Sequence, residues 1–420
     1  MLFNLELKQK NGTPRHLLFD NTTNHFTDPE TGHLFFTKQH VQDWLRYTPV
    51  LSFKKDEIGM MFIQLGMKCN YECKYCHQNN IRSTTEVEDA TPSKAARFLE
   101  MLEEAKLNPK YISFWGGEPL VYWKAMKVLI PGLKRLYPKA RINFPTNGSL
   151  LTQEIIQYLD DNEIEYFVSY DGKVSNRGES ILDSQKVVEG LKATREGVAI
   201  MPTFNRASIP IKELKKEFDD KRIRLKHIAI YAVARCNPYN RSIANEILIP
   251  AEKKAELSSF LYDVLTHEKE NHDIFNGVFG RFKHKVRLMQ TGMGIDAAAI
   301  TYCGNATGHD ICVDLAGKIF NCMNVPVKVI GTLNRMEPFN ATEIFQNHLF
   351  KDKCFDCPYI TMCFGGCPLI HDENSPEFKV SCSNLKLIAV PFFRAAIERL
   401  FDAKLLTIRK ADDGTLLGEF

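Results

Sequence analysis

The sequence has no excess of charge of either sign: 54 lysines and arginines stand against 51 aspartates and glutamates, a formal net charge of +3 over 420 residues. Proteins that grip nucleic acid show a basic surplus, so nucleic acid is not expected as a partner. Long apolar runs are scarce too. Stretches such as Leu387 to Phe393 fall well short of the ~20 residues a membrane helix needs, so no membrane partner is expected. The opening residues, MLFNLELKQKNG, lack a basic stretch followed by an apolar core, so no signal peptide is read and a cytoplasmic location is expected. Internal repeats and low-complexity tracts are absent. The remaining composition, 44% hydrophobic and 25% charged, is that of a globular protein long enough for more than one core.

Cysteine is plentiful instead. There are twelve, and in a reducing compartment clustered cysteines are metal ligands or catalytic groups more often than disulfides. Cys69, Cys73 and Cys76 lie early. Cys303, Cys312, Cys322, Cys354, Cys357, Cys363, Cys367 and Cys382 lie late. Cys236 stands alone between them and reads as a small core residue.

Strand-like runs at 60–66, 111–115, 141–145, 165–170, 198–204 and 227–234 alternate with helical stretches. Thr91-Pro92 opens the first helix, a capping hydroxyl followed by proline at the first helical position. Six such units predict an α/β fold: a parallel sheet wound into a partial (β/α)6 barrel, open on one side. Residues 1–57 read as a small β-rich lead-in, with a short helix near Gln39 to Tyr47. The barrel takes 58–245, and a helical bridge opened by Pro250 takes 246–300. A cysteine- and turn-rich segment occupies 301–385, and 386–420 form the end of an amphipathic helix, read from Asn384 to Phe401, and a tail.

Cys69, Cys73 and Cys76 are spaced C-x3-C-x2-C in the loop after the first barrel strand, at the face where α/β barrels gather their active sites. A [4Fe–4S] cluster held by three thiolates has one iron without a protein ligand, free to chelate a substrate or cofactor and pass it an electron. A zinc site is the competing reading, but zinc sites commonly pair cysteines as C-x2-C and need a fourth ligand.

With Tyr75 as its aromatic residue, this motif resembles the C-x3-C-x-aromatic-C signature of the radical S-adenosylmethionine (SAM) superfamily. Gly116-Gly117-Glu118-Pro119 resembles the family's GGEP motif, Thr146-Asn147-Gly148 its TNG, and Ser169-Tyr170-Asp171-Gly172 its S-x-D-G. Each stands at a strand end, in order. The resemblance implies that Gly116, Gly117, Glu118 and Asn147 hold SAM, that Ser169 meets its carboxylate, and that Arg177 is a second carboxylate partner. It also implies that a reduced cluster splits SAM into methionine and a 5′-deoxyadenosyl radical, which takes hydrogen from a substrate; a flavodoxin or ferredoxin would supply the electron.

The late cysteines resemble the SPASM pattern found behind radical SAM domains of peptide- and protein-modifying maturases. Cys303, Cys322 and Cys367 would bind a first auxiliary [4Fe–4S] cluster, with Cys312 or His309 as a fourth ligand. Cys354, Cys357, Cys363 and Cys382 would bind a second, for three clusters in all. By resemblance the substrate is a ribosomally synthesised precursor peptide, and the favoured reaction is a carbon–carbon cross-link of the cyclophane type. Thioether formation, epimerisation and decarboxylation are the neighbouring alternatives. Met323 follows Cys322 where sulfatase maturases carry an aspartate, which argues against that substrate. A non-catalytic iron–sulfur carrier or scaffold is the alternative outside enzymes, and it would need neither the GGEP motif nor an open iron.

Overall fold

The computed structural model describes residues 1–21, 23–36, 50–51, 58–173, 177–230, 232–234, 241–290, 309–335, 339–340, 352–367, 369–370 and 372–420. The expected helix at 39–47, Cys236 and Cys303 lie outside these residues. Two compact units emerge, and neither is continuous in sequence. One comprises Pro49–Leu248 and Cys303–Phe345; the other comprises Met1–Thr48, Ile249–Tyr302 and Gln346–Phe420. The cysteine-rich stretch at 301–385 is thus divided between both.

All six expected barrel strands form. Met60–Gln64, Tyr111–Trp115, Arg141–Thr146, Glu165–Val168, Val198–Ile200 and Leu225–Ile228 lie side by side and parallel. Such strands bury both faces, which explains their near-continuous apolar runs. Met61, Ile63, Ile112, Phe114 and Phe144 are fully buried on one face; on the other, Phe62 packs with Trp115 and Cys312. The sheet does not close. It continues past Met60–Gln64 into Asp310–Asp314, which joins parallel, and then antiparallel into Lys318–Phe320 and Val329–Thr332. Helix Pro92–Ala105 begins as its sequence demands, with the Thr91 hydroxyl accepting from the Lys94 amide and Pro92 in the first turn. It buries Ala95, Phe98, Leu102 and Ala105, a stripe at helical spacing.

The second unit corrects three expectations. The residues after Phe401 are not a loose tail: Asp402 ends the helix in the left-handed region, and strands Ala403–Lys410 and Leu416–Glu419 follow. Ala403–Lys410 pairs with Leu2–Gln9, so both chain ends share one six-stranded antiparallel sheet with Pro14–Asp20, His25–Thr27 and Leu34–Phe35. Among the described residues the bridge is helix Ala251–Thr266 followed by Glu268–Gln290, itself broken by a kink at Phe275, and not one helix. The last helix runs Pro376–Phe401, starting eight residues before Asn384, because Ser375 caps the Phe378 amide and Pro376 follows. This helix is long and apolar enough to cross a membrane, which the short apolar runs had not indicated, yet 67% of its most apolar window is buried inside the structure. Its Phe393 packs on Phe19 at 5.4 Å between ring centres and on Tyr359 at 5.6 Å, and Phe19 stacks on Phe26 at 4.8 Å. Phe393 is fully buried. Phe393→Ala should therefore cost about 3–5 kcal/mol, read as an earlier unfolding midpoint in denaturant. A change below about 1 kcal/mol would mean this aromatic stack is not the unit's core.

Candidate cluster and cofactor site

The loop after strand Met60–Gln64 carries Cys69, Cys73 and Cys76, and its own backbone sets their positions. The Tyr71 amide donates to Cys69 Sγ at 3.4 Å, and the Gln78 amide donates to Cys76 Sγ at 3.4 Å. The Cys76 amide donates to the Cys73 carbonyl at 3.0 Å, closing the turn between them. Amide donors of this kind stabilise thiolate charge and tune a bound cluster. Burial pushes the Cys69 thiol up and the Cys73 thiol up to about 11. Both are neutral thiols at physiological pH until a metal displaces their protons. Among the described residues no group of three or more His, Cys, Asp or Glu is set to grip a single metal ion. Three sulfurs in one turn, with amides aimed at two of them, fit the [4Fe–4S] cluster that the motif implies.

Beside this loop two backbones run unusually close. The Gly117 amide donates to the Gly66 carbonyl at 3.0 Å, and the Glu118 amide donates to the Lys68 carbonyl at 2.9 Å. A Cβ on Gly116, whose φ is +137°, would overlap the Gly66 carbonyl oxygen. A Cβ on Gly117 would overlap the Lys68 and Met67 carbonyl oxygens. Both positions therefore require glycine on grounds of space, and Gly116 also on grounds of conformation.

Glu118 is 2% exposed, and both of its carboxylate oxygens are engaged. Oε1 accepts from the Leu120 amide at 3.1 Å and the Thr146 hydroxyl at 2.7 Å, and Oε2 accepts from the Asn147 amide at 2.7 Å. Burial pushes its pKa up, against these donors. Glu118 thus ties the second strand end to the third, with acceptor capacity left on Oε2. Asn147 then reaches the cysteine loop: its Nδ2 donates to Asn70 Oδ1 at 2.9 Å and lies 4.0 Å from Cys69 Sγ.

Tyr75 and Arg177 meet at a residue the motif contained but to which sequence reasoning gave no role. Asp171, 2% exposed, accepts from the Tyr75 hydroxyl and, at 2.8 Å, from Arg177 Nε. The Arg177 guanidinium also lies 5.3 Å from the Tyr75 ring centre. The Thr203 amide donates to Asp171 at 2.7 Å, and the Cys73 thiol lies 3.8 Å from the Arg177 carbonyl. Ser169 is half-buried at the end of its strand, its amide bonded to the Thr146 carbonyl at 2.8 Å. A second network escaped the sequence entirely. Tyr122 accepts from the Lys68 amide at 2.8 Å and donates to Asp89 at 2.6 Å, while Lys68 pairs with Asp89 at 2.6 Å. Tyr122 lies in an ordinary helical stretch, where nothing marks it.

The late cysteines separate. Cys354, Cys357, Cys363 and Cys382 line one cavity, with Ile360, Ile370 and Phe378 among its apolar walls. Cys367, given by resemblance to the first auxiliary set, lines the same cavity. Burial pushes Cys357 up and Cys363 much further up, so metal must displace these protons as well. In the barrel unit, Cys312 stands within strand Asp310–Asp314, fully buried beside Phe62 and Phe320, with Gln64 Nε2 3.5 Å from its sulfur. Cys322 packs near Met67, Ile81 and Val325. His309 is exposed, its Nδ1 3.2 Å from Asp310 Oδ1.

Fold and loop together define a partial α/β barrel with a cysteine turn, a glycine cradle and a carboxylate tie at successive strand ends. Residues 63–172 match the model of the radical SAM superfamily. The radical SAM cyclopropyl synthase TigE of Paramaledivibacter caminithermalis is 24% identical over 343 residues, 74% of this chain and 68% of its own. Among solved structures, native anSMEcpe with bound AdoMet and the Cp18Cys peptide is similar with a TM-score of 0.57 at 17% identity, over 82% of this chain and 98% of that one. Streptococcus suis SuiB bound to precursor peptide SuiA follows at 0.51 and 17%, over 76% and 74%. Residues 63–172 are thus a radical SAM domain, and the chain is an enzyme.

Removing the carboxylate of Glu118 frees the Thr146–Asn147 turn, and the GGEP resemblance implies the loss of one acceptor for the SAM ammonium, a charge-assisted contact of roughly 1.5–3 kcal/mol. Glu118→Ala should weaken SAM binding about tenfold or more, measured by equilibrium dialysis, with the iron content retained. Unaltered affinity would place the SAM site elsewhere.

Proposed function

We propose that the protein matures a ribosomally made precursor peptide by oxidative carbon–carbon bond formation, a cross-link of the cyclophane type. The observation that carries this reading is the cavity where Cys354, Cys357, Cys363 and Cys382 converge. A hydrogen abstraction that is simply returned needs no electron sink, whereas an oxidation must dispose of an electron. Four thiolates around an apolar cavity fit a second [4Fe–4S] cluster. The peptides bound to anSMEcpe and SuiB support the substrate class.

When bound at Cys69, Cys73 and Cys76, the cluster and SAM supply the 5′-deoxyadenosyl radical. The chain's own residues do the rest. Gly116 and Gly117 let the 116–118 backbone run against 66–68 beside the cysteine loop, Glu118 and Asn147 hold the cofactor's amino end, and Ser169 meets its carboxylate. Arg177, locked on Asp171, fixes Tyr75 and the cysteine turn. Forming the carbon–carbon bond would remove one hydrogen atom, one proton and one electron from the substrate, and a cluster held by Cys354, Cys357, Cys363 and Cys382 would take up the electron. A flavodoxin or ferredoxin supplies the electron that starts each turnover.

A second reading rests on the likeness to a cyclopropyl synthase: the new bond closes a three-membered ring within one side chain. Both reactions remove two hydrogens. Incubated with SAM, reductant and its precursor peptide, the enzyme should shift the peptide by about −2 Da per bond, with one 5′-deoxyadenosine formed each time. Tandem mass spectrometry separates the readings: a cross-link suppresses backbone fragments between two residues, and a cyclopropane localises the loss to one. No mass change in ordinary water, becoming about +1 Da in deuterated water, would overturn both in favour of epimerisation, and a loss of about 44 Da would point to decarboxylation.

A further inference from the structure

Lys285 lies on helix Glu268–Gln290 and reaches the short helix Ile360–Cys363 of the same unit. Its Nζ is 3.1 Å from the centre of the Phe364 ring and 3.5 Å from the Thr361 carbonyl oxygen. Those two contacts bracket Cys363. Neither is a carboxylate, so this lysine is not placed by an ordinary ion pair. Burial pulls its pKa down to about 7, and Cys363 pulls it the other way. The Nζ thus stands against the backbone and ring on either side of Cys363 in sequence.

We propose that Lys285 is a positioning residue for electron flow: its ammonium raises the reduction potential of the cluster held by Cys354, Cys357, Cys363 and Cys382, so that this cluster accepts the substrate's electron. The inference rests on the proposed second cluster. Reduction adds one negative charge to a site already carrying four thiolates. A nearby cation stabilises the reduced state more than the oxidised one, and it does so strongly where water is excluded. Two other lysines, Lys353 and Lys386, line the cavity itself. Both are exposed, and water and salt screen their charge.

The test is an anaerobic redox titration of the full-length, iron-loaded protein followed by electron paramagnetic resonance. The signal lost in Cys357→Ala identifies the cluster. In Lys285→Gln its reduction equilibrium should shift about tenfold toward the oxidised form, which for one electron is 59 mV, with iron content unchanged. Lys285→Arg should hold the original potential, and Lys386→Gln should shift the equilibrium less than threefold. If Lys285→Gln loses iron, Lys285→Met carries the same expectation, since its unbranched stem fills the same space. An unchanged potential in an iron-replete Lys285→Gln or Lys285→Met, or an equal shift in Lys386→Gln, would overturn the inference alone. Unaltered protein whose iron content is the same as that of Cys357→Ala would overturn the cluster assignment, and the inference with it.

Discussion

Past the ends of the first two barrel strands the backbone of 66–68 keeps running against that of 116–118, and glycines make this approach possible. Gly66 and Gly116 both adopt positive φ, +136° and +137°, and the carbonyls of Gly66, Met67 and Lys68 occupy the space where side chains at 116 and 117 would stand. The cysteine loop springs from the end of this ladder, so its origin is fixed by backbone hydrogen bonds and not by side-chain packing that could drift. Glu118, the next residue, ties the ladder to the third strand end through Thr146 and Asn147. Asn147 in turn touches the cysteine loop at Asn70. A closed circuit of short contacts therefore surrounds the place where a cofactor must enter. A rigid first shell of this kind is what positioning of a reactive radical demands.

The charged part of the site obeys the same logic. Asp171 is buried, and its negative charge is tolerable because Arg177, Tyr75 and the Thr203 amide all direct donors at it. Breaking one member leaves the others with an unpaired buried charge, so the group acts as a unit. Through Tyr75 and the Arg177 carbonyl it bears on the cysteine turn. Arg177 thus has a structural partner on this side, whatever it offers a cofactor carboxylate.

Much of this was legible in the sequence, because strand periodicity, Thr91-Pro92 capping and motifs at strand ends are local signals. The six barrel strands and the placement of Cys69 to Cys76 follow from them. What was not legible depends on distant pairing. Nothing near Asp310–Asp314 says that it will add to the barrel sheet beside Met60–Gln64, and Cys312 therefore read as a free ligand candidate, not as a buried strand residue beside Gln64. Strands Ala403–Lys410 and Leu416–Glu419 read as a tail because their partner, Leu2–Gln9, lies at the other end of the chain. Ser375-Pro376 carries the same capping signal as Thr91-Pro92, and it starts the helix inside the cysteine-rich stretch, eight residues before Asn384. Tyr122 and Asp89 form their network across a loop and have no local mark.

The proposed chemistry requires an iron at Cys69, Cys73 and Cys76 that no cysteine ligates and that SAM can chelate. Electron paramagnetic resonance of the anaerobically reduced protein, recorded with and without SAM, tests this directly. SAM should change the spectrum of one cluster, and the same addition to Gly117→Ala, whose Cβ would overlap the Lys68 and Met67 carbonyl oxygens and part the two backbones, should change nothing. A spectrum indifferent to SAM in the unaltered, fully iron-loaded protein would contradict the account.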